Sequence, residues 1–199
     1  MNLTDFILEI SNRAFDNESI YFNGGHNGPY NDSETPVRNK GHWLIIFSKC
    51  FELTGKQIYL DTVRKLAEYL VSKESRPYGY SFHHRLKEVK DKCNGLIGQA
   101  WTFEALACAS SILGEPQYSE VAEEVFFQHN FNENFGLWNR LEIDGEILSI
   151  DDTFNHQLWF AACAALLNTP RQEGISDRIF QFMNCLPENL SVLDNGLIY

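Results

Sequence analysis

Three tryptophans, Trp43, Trp101 and Trp159, stand 58 residues apart, each early in a strongly apolar stretch. Gly55 and Gly114 follow the first two stretches at a separation of 59, and Tyr59 and Tyr118 keep the same step. One such coincidence would carry little weight. Several markers in step argue for a unit of nearly 60 residues repeated along the chain, and self-similarity at a fixed period belongs to stacked supersecondary units. The unit reads as a helical hairpin. His42 to Thr54 is apolar on most sides and ends at Gly55, where a left-handed residue closes a helix, so it predicts a helix buried nearly all round. Ile58 to Val71 carries Tyr59, Val63, Leu66, Ala67 and Leu70 at spacings of three and four, the pattern of an amphipathic helix with one buried face.

The pair recurs. Gly98 to Leu113 is again apolar on most sides and stops at Gly114; after Pro116 comes an amphipathic stretch through Tyr118, Val121, Ala122, Val125 and Phe126. His156 to Leu167 and Ile175 to Met183 form a third pair, and Leu3 to Phe15 a lone helix before the first. In such arrays the more apolar helix lies inside, which predicts inner helices near 41–54, 96–113 and 155–168. Long linkers, Asn17 to Lys40, Glu74 to Cys93 and His129 to Asp152, precede the inner helices, and connections of that length are uncommon unless functional. The third contains Leu137–Ile143, Asp144-Gly145 and Ile147–Ile150, a β-hairpin signal. The first holds Gly24-Gly25-His26-Asn27-Gly28-Pro29-Tyr30 and reads as irregular. The expectation is an all-α chain with one short β-hairpin, the three linkers meeting on one face.

At 199 residues this is one domain, 1–199, or one part of a larger one. With 27 acidic against 16 basic side chains the formal charge is −11, which repels phosphate backbones and anionic membranes, so nucleic acid is not an expected partner. The acid in Met1-Asn2-Leu3-Thr4-Asp5 does not suit a signal peptide. The longest strongly apolar run, Leu158 to Leu167, is too short to span a bilayer. The expectation is therefore a cytoplasmic protein without membrane insertion. Five cysteines with no C-x-x-C pair read as buried reduced thiols, and His26, His83 and His84 show no metal-ligand spacing with any cysteine or carboxylate, so neither a metal nor another cofactor is expected.

Pro36-Val37-Arg38-Asn39-x-x-His42-Trp43-Leu44, Asn94-Gly95-Leu96-Ile97-Gly98-Gln99-Ala100-Trp101 and Thr153-Phe154-Asn155-His156-Gln157-Leu158-Trp159-Phe160 resemble motifs of six-hairpin, (α/α)6-toroid proteins of prokaryotic surface-polysaccharide biosynthesis. These are akin to the N-acylglucosamine 2-epimerase and six-hairpin glycosidase superfamily. The resemblance covers about residues 36 to 160 and implies a carbohydrate-related protein. It also implies a deficit, because six hairpins of this length need well over 300 residues and the chain holds about three. A truncated gene product with a missing C-terminal half, an expression fragment, or a half-toroid that forms a homodimer would each account for it.

His42, Gln99 and His156 all occupy the first turn of an inner helix, where helix dipoles favour anionic groups. Histidines so placed can move protons at neutral pH, as epimerisation of a sugar through its ring-opened carbonyl form requires; the alternative is that they cap helices or sit satisfied in the core. Glu104, one turn beyond Trp101, would direct a carboxylate inward as a general acid or base, or form an ion pair with a neighbouring helix. Asp151-Asp152 resemble the carboxylate pairs of glycoside hydrolysis but read better as helix caps. Arg38, Arg85 and Arg140 could meet an anionic sugar substituent. Trp101 could stack on a sugar ring, and Trp138, on the hairpin, reads as the exposed tryptophan best suited to binding. The candidate site is thus His42, Glu104 and His156 for catalysis, with Arg38, Trp101, Trp138 and Arg140 for binding. Sugar epimerase-like or isomerase-like chemistry leads; a six-hairpin glycoside hydrolase, a non-catalytic sugar-binding or assembly protein, and a helical scaffold are the alternatives.

Overall fold

A computed structural model describes residues 2–16, 22–27, 31–191 and 194. The described residues begin with α1 (Leu3–Asp16), a two-stranded pair β1 (His26–Asn27) and β2 (Asp32–Ser33), and the first hairpin α2 (Pro36–Thr54) and α3 (Gln57–Leu70). The second hairpin is α4 (Gly95–Leu113) and α5 (Gln117–Gln128). An antiparallel sheet follows, β3 (Phe131–Asn132), β4 (Leu137–Leu141) and β5 (Ile147–Ile150) in that order, and then α6 (Phe154–Ala164) and α7 (Gln172–Asn189).

Helix stops fall where the glycines put them. Gly55 and Gly114 are left-handed at φ 66° and 69°, and their backbone N–H groups donate to Phe51 and Ser110 carbonyls of the preceding turn. The start of α2 is earlier than the apolar pattern suggests: Pro36 occupies the first turn, where its missing N–H costs nothing, and Thr35 caps the helix by accepting from Val37 N–H. The residues ahead of the tryptophan are mostly polar, with Val37 the one buried apolar side chain among them, so periodicity alone could not reach them. The sheet is also larger than one hairpin, because β3 pairs Phe131 with Trp138. The first linker is only partly irregular, since β1 pairs with β2 within it. Residues 28–30 of its glycine-rich stretch lie outside the described residues, as does most of the segment 194–199.

α4 is the centre of the fold and packs against α2, α3, α5, α6 and β4. It is long and apolar enough to cross a membrane by length and composition, a stretch that the longest-run criterion overlooked, but here most of it is buried inside the protein. Phe103, Phe126, Phe160 and Phe182 form the aromatic core around it. The third hairpin is looser than the other two. α7 meets the linker sheet and α5 through Phe182 on Trp138 and the Arg178 guanidinium over Phe127.

That packing corrects the reading of Trp138. It is 0% exposed, ringed by Phe126, Phe131, Phe160 and Phe182 at centroid distances of 4.8 to 5.7 Å, and offers no face to a ligand. The strand alternation places it on the inner face of β4, and α7 closes over it. Trp159 is instead the exposed one, at 45%. All five cysteines are free, with Cys50, Cys93 and Cys163 buried and Cys108 and Cys185 partly so.

Candidate functional site

The linkers are fastened to the inner helices by two glutamines that do the same work one repeat apart. The Gln99 amide accepts from Phe82 N–H and donates to the Phe82 and Cys93 carbonyls. The Gln157 amide accepts from Trp138 N–H and donates to the Trp138 and Asp151 carbonyls. Each inner helix thereby holds its preceding linker by backbone groups that would otherwise be buried unpaired.

This anchoring fixes the residues around the first turn of α4. Asp91 accepts from Gly95 N–H at 2.9 Å and Asp151 accepts from Leu96 N–H at 3.1 Å, so two carboxylates meet the unsatisfied donors and the positive dipole of the helix start. Each carboxylate also holds a cationic or protonable side chain. Asp91 takes Arg140 Nη1 at 3.1 Å and Arg85 Nη1 at 3.2 Å, while Arg140 Nη2 donates to Ser149 Oγ. The Asp151 carboxylate accepts from His156 Nδ1 at 3.1 Å. Burial pushes the Asp151 carboxyl up, but the hydrogen bonds from His156 and from Leu96 N–H outweigh it and hold the group below its ordinary value. A cavity of about 250 Å³ is lined by these groups together with Asn94, Asp152 and Thr153. The backbone approach there is tight: a Cβ on Gly95 would lie 2.8 Å from Asp151 Oδ2.

A second group lies further along α4. The Arg38 guanidinium stands 4.4 Å from the Trp101 ring centroid and is paired with Glu34 at 3.1 Å. The His42 ring centroid is 5.7 Å from that of Trp101. Burial, with the Arg38 charge adding to it, lowers the His42 pKa, so the imidazole is neutral at pH 7. His84 lies beneath, fully buried, its Nε2 bonded to Thr102 Oγ1 and its pKa depressed to about 3 by burial first and by Arg38 next. Gly95, Gly98 and Trp101 follow at three-residue steps along α4, so the His156 group and the His42 group are about 9 Å apart along its axis. His84 belongs with the His42 group, its ring centroid 6.2 Å from that of Trp101, and also borders Gly98, where an added Cβ would meet the Cys93 carbonyl, Asn94 and His84.

Glu104 is one turn beyond Trp101 and lines a different, mostly apolar cavity of about 320 Å³ with Ile45, Cys108 and Leu166. The structure thus brings His156 and Arg140 together, sets Arg38, His42 and Trp101 together beside them, and places Glu104 apart. Asp151 is a partner of His156 more than a helix cap, since Thr153 holds the cap position of α6. Sequence reasoning missed Asp91, Asn94, Gln157 and Ser149. The repeat in which Gln99 and Gln157 coincide was the one signal that could have found Gln157; the others sit in linkers without period.

No protein-family model matches the sequence. The chain is 47% identical over 174 residues to archaeal glycosylation protein Q of Haloferax volcanii, a match that takes in 87% of this chain and 47% of the relative. The chain therefore spans about half the length of the curated relative it matches. Among solved structures it is similar to cellobiose 2-epimerase from Bacillus thermoamylovorans, with a TM-score of 0.67, 13% identity, and coverage of 96% of this chain and 59% of that one. It is similar to a D-mannose isomerase with a TM-score of 0.60, 15% identity, and coverage of 91% and 50%. A cellobiose 2-epimerase from Spirochaeta thermophila gives a TM-score of 0.60, 13% identity, and coverage of 92% and 55%. At these identities the likeness is one of fold, that of the (α/α)6 toroids, and the chain spans 50% to 59% of those structures.

Proposed function

We propose that the chain is a carbohydrate-active protein of sugar or polysaccharide metabolism whose chemistry is proton transfer on a sugar, of the epimerase or isomerase kind. The observation that carries this reading is His156, held through Nδ1 by the buried Asp151 in the first turn of an inner helix, with Nε2 left for a ligand in the adjoining cavity. Moving a proton next to a sugar carbonyl needs a base and an acid close to the same carbon. His156 supplies one such group with its tautomer set. His42, neutral because it is buried beside Arg38, lies about 9 Å further along α4, out of reach of that carbon and placed to hold a more distant part of the ligand. Trp101 contacts both Arg38, whose guanidinium lies over its ring, and His42.

A second reading, a non-catalytic sugar-binding or assembly protein in polysaccharide biosynthesis, is favoured by the relative's name and by the half-length span. Glycoside hydrolysis finds less support. Asp151 is committed to His156 and to Leu96 N–H, Asp91 in the same cavity is committed to Arg85, Arg140 and Gly95 N–H, and Asp152 is exposed, so neither Asp91 nor Asp151 is left for the role of a hydrolytic acid or nucleophile. The test is proton NMR of D-mannose, D-glucose and cellobiose incubated with the protein in heavy water. Loss of the C2 proton signal, abolished by His156→Asn and weakened by His42→Gln, is the expected result. Binding without exchange would replace catalysis by the second reading.

A further inference from the structure

We propose that Asn94 reads an uncharged sugar in the cavity between the N-terminal ends of α4 and α6, its amide accepting from one sugar hydroxyl and donating to a neighbouring oxygen, while Asp151 acts across the cavity as the positioning residue for His156. The inference rests on the sugar reading above and names the kind of sugar and the residue that would recognise it.

Asn94 is 2% exposed, and neither its Oδ1 nor its Nδ2 has a hydrogen-bond partner. Buried amides in folded proteins are nearly always paired, and leaving one unpaired costs stability that only a function repays. The backbone adds to this. Asn94 holds a left-handed φ of 59° immediately before the helix, yet its side chain makes no cap hydrogen bond. An asparagine that neither caps nor pairs, on the wall of a cavity, is arranged for a ligand.

The charges say which ligand. Arg85 and Arg140 share the Asp91 carboxylate, and His156 is met by Asp151. The remaining charged group on the wall is Asp152, which is exposed and repels anions. Arg140, expected from sequence to hold an anionic substituent, is already engaged through Nη1 by Asp91 and through Nη2 by Ser149. Arg85 Nε also lacks a partner, but the wall carries three carboxylates, Asp91, Asp151 and Asp152, against two guanidiniums and a histidine, and an amide with its donor and acceptor open matches adjacent hydroxyls or a hydroxyl beside a carbonyl. A phosphate or carboxylate would meet that excess of carboxylates.

Asn94→Gly keeps the left-handed backbone and deletes the amide; Asn94→Asp keeps the shape and replaces the donor by a charge. Titrations followed by saturation-transfer NMR use D-mannose, D-glucose and cellobiose as neutral probes, with D-glucuronate and glucose 6-phosphate as anionic ones. The expected result is that a neutral sugar binds in preference to the anionic ones and binds about tenfold more weakly to both variants. Asn94→Gly should melt close to the wild-type temperature, because the amide it removes has no partner in the protein. For Asp151, nitrogen-15 NMR of the His156 ring should show the Nδ1–H tautomer in the wild type and a mixture in Asp151→Asn. Unchanged neutral-sugar affinity in both Asn94 variants, tighter binding of an anionic probe, or no binding of any probe to the wild type would overturn the Asn94 assignment. An unchanged tautomer in Asp151→Asn would overturn the positioning role. Loss of affinity in Asn94→Gly without any C2 exchange in the wild type would uphold Asn94 as the reader while ending the catalytic reading.

Discussion

The Asp32 carboxylate, closed off from solvent, receives Lys87 and Lys90 from the second linker, with Lys90 Nζ at 2.6 Å. These two hydrogen bonds, Lys87 first, hold its pKa down to about 2 against an ordinary 3.8. A carboxyl depressed in the folded state stabilises the fold above its unfolded pKa, and that contribution is lost as pH falls from about 4 toward 2. Asp32→Asn should therefore lower the melting temperature at pH 7 and make little difference near pH 2, which thermal melts at the two pH values will check. Trp138 gives the complementary case of an apolar residue. Truncating it to alanine should cost about 3–5 kcal/mol in urea unfolding, because four phenylalanine rings lose their common partner. The sequence shows a tryptophan on a short strand but not which side α7 covers, and a period of two leaves that choice open. For the same reason Trp159, in register with two partly buried tryptophans, gives no hint from spacing that it is exposed.

The helices themselves were legible, since apolar periodicity, Gly55 and Gly114 are all local signals and the hairpins follow from their order. The linkers were not, because what holds them is long-range. Gln99 and Gln157 each reach back 17 or 19 residues to a backbone that no local pattern identifies. Replacing Gln157 by leucine would leave Trp138 N–H and the Asp151 carbonyl buried without the partner Gln157 gives them, the Trp138 carbonyl keeping Asp151 N–H, at about 1–3 kcal/mol for each unmet group. The Asp151 carbonyl is one of those groups, so the substitution should also release the carboxylate that orients His156. Hydrogen exchange should show the β4 amides and the segment 150–153 opening far more readily in Gln157→Leu, with α2 and α3 unaffected. Uniform loss of protection across all helices would mean instead that the linker has no separate anchorage. Of the candidate site, His156 was readable as a first-turn histidine, whereas His42, read the same way, sits in the second turn because α2 starts at Pro36, and Asn94 and Asp91 owe their place to a linker path that only packing determines.

At the scale of the whole molecule, two features of the fold govern how it behaves in solution. Its interior keeps two histidines neutral: burial depresses His84 to about 3 and His129 to about 4, against an ordinary 6.5. The unfolded chain therefore takes up protons that the folded one refuses, and stability falls as pH drops below about 6.5 toward 4, well above the range where Asp32 acts. Urea midpoints between pH 7 and 5 should decline, and His129→Gln should flatten that slope. The second feature is apolar exposure. In a toroid the inner helices turn one face to the axis, and here Leu158, Trp159 and Leu166, on or just beyond α6, are 40%, 45% and 58% exposed, with the apolar cavity of Ile45 and Cys108 bordering Leu166. A closed ring would cover such a face, and an isolated chain spanning about half of one leaves it to water, at a cost that rises with the area. The expected outcome is self-association that grows with concentration in sedimentation, together with binding of an apolar dye. Replacing Trp159 and Leu166 by serine and glutamine should reduce both without lowering the melting temperature, since neither side chain supports the core. A monomer at high concentration that binds no dye would show that this face is stable in water as it stands.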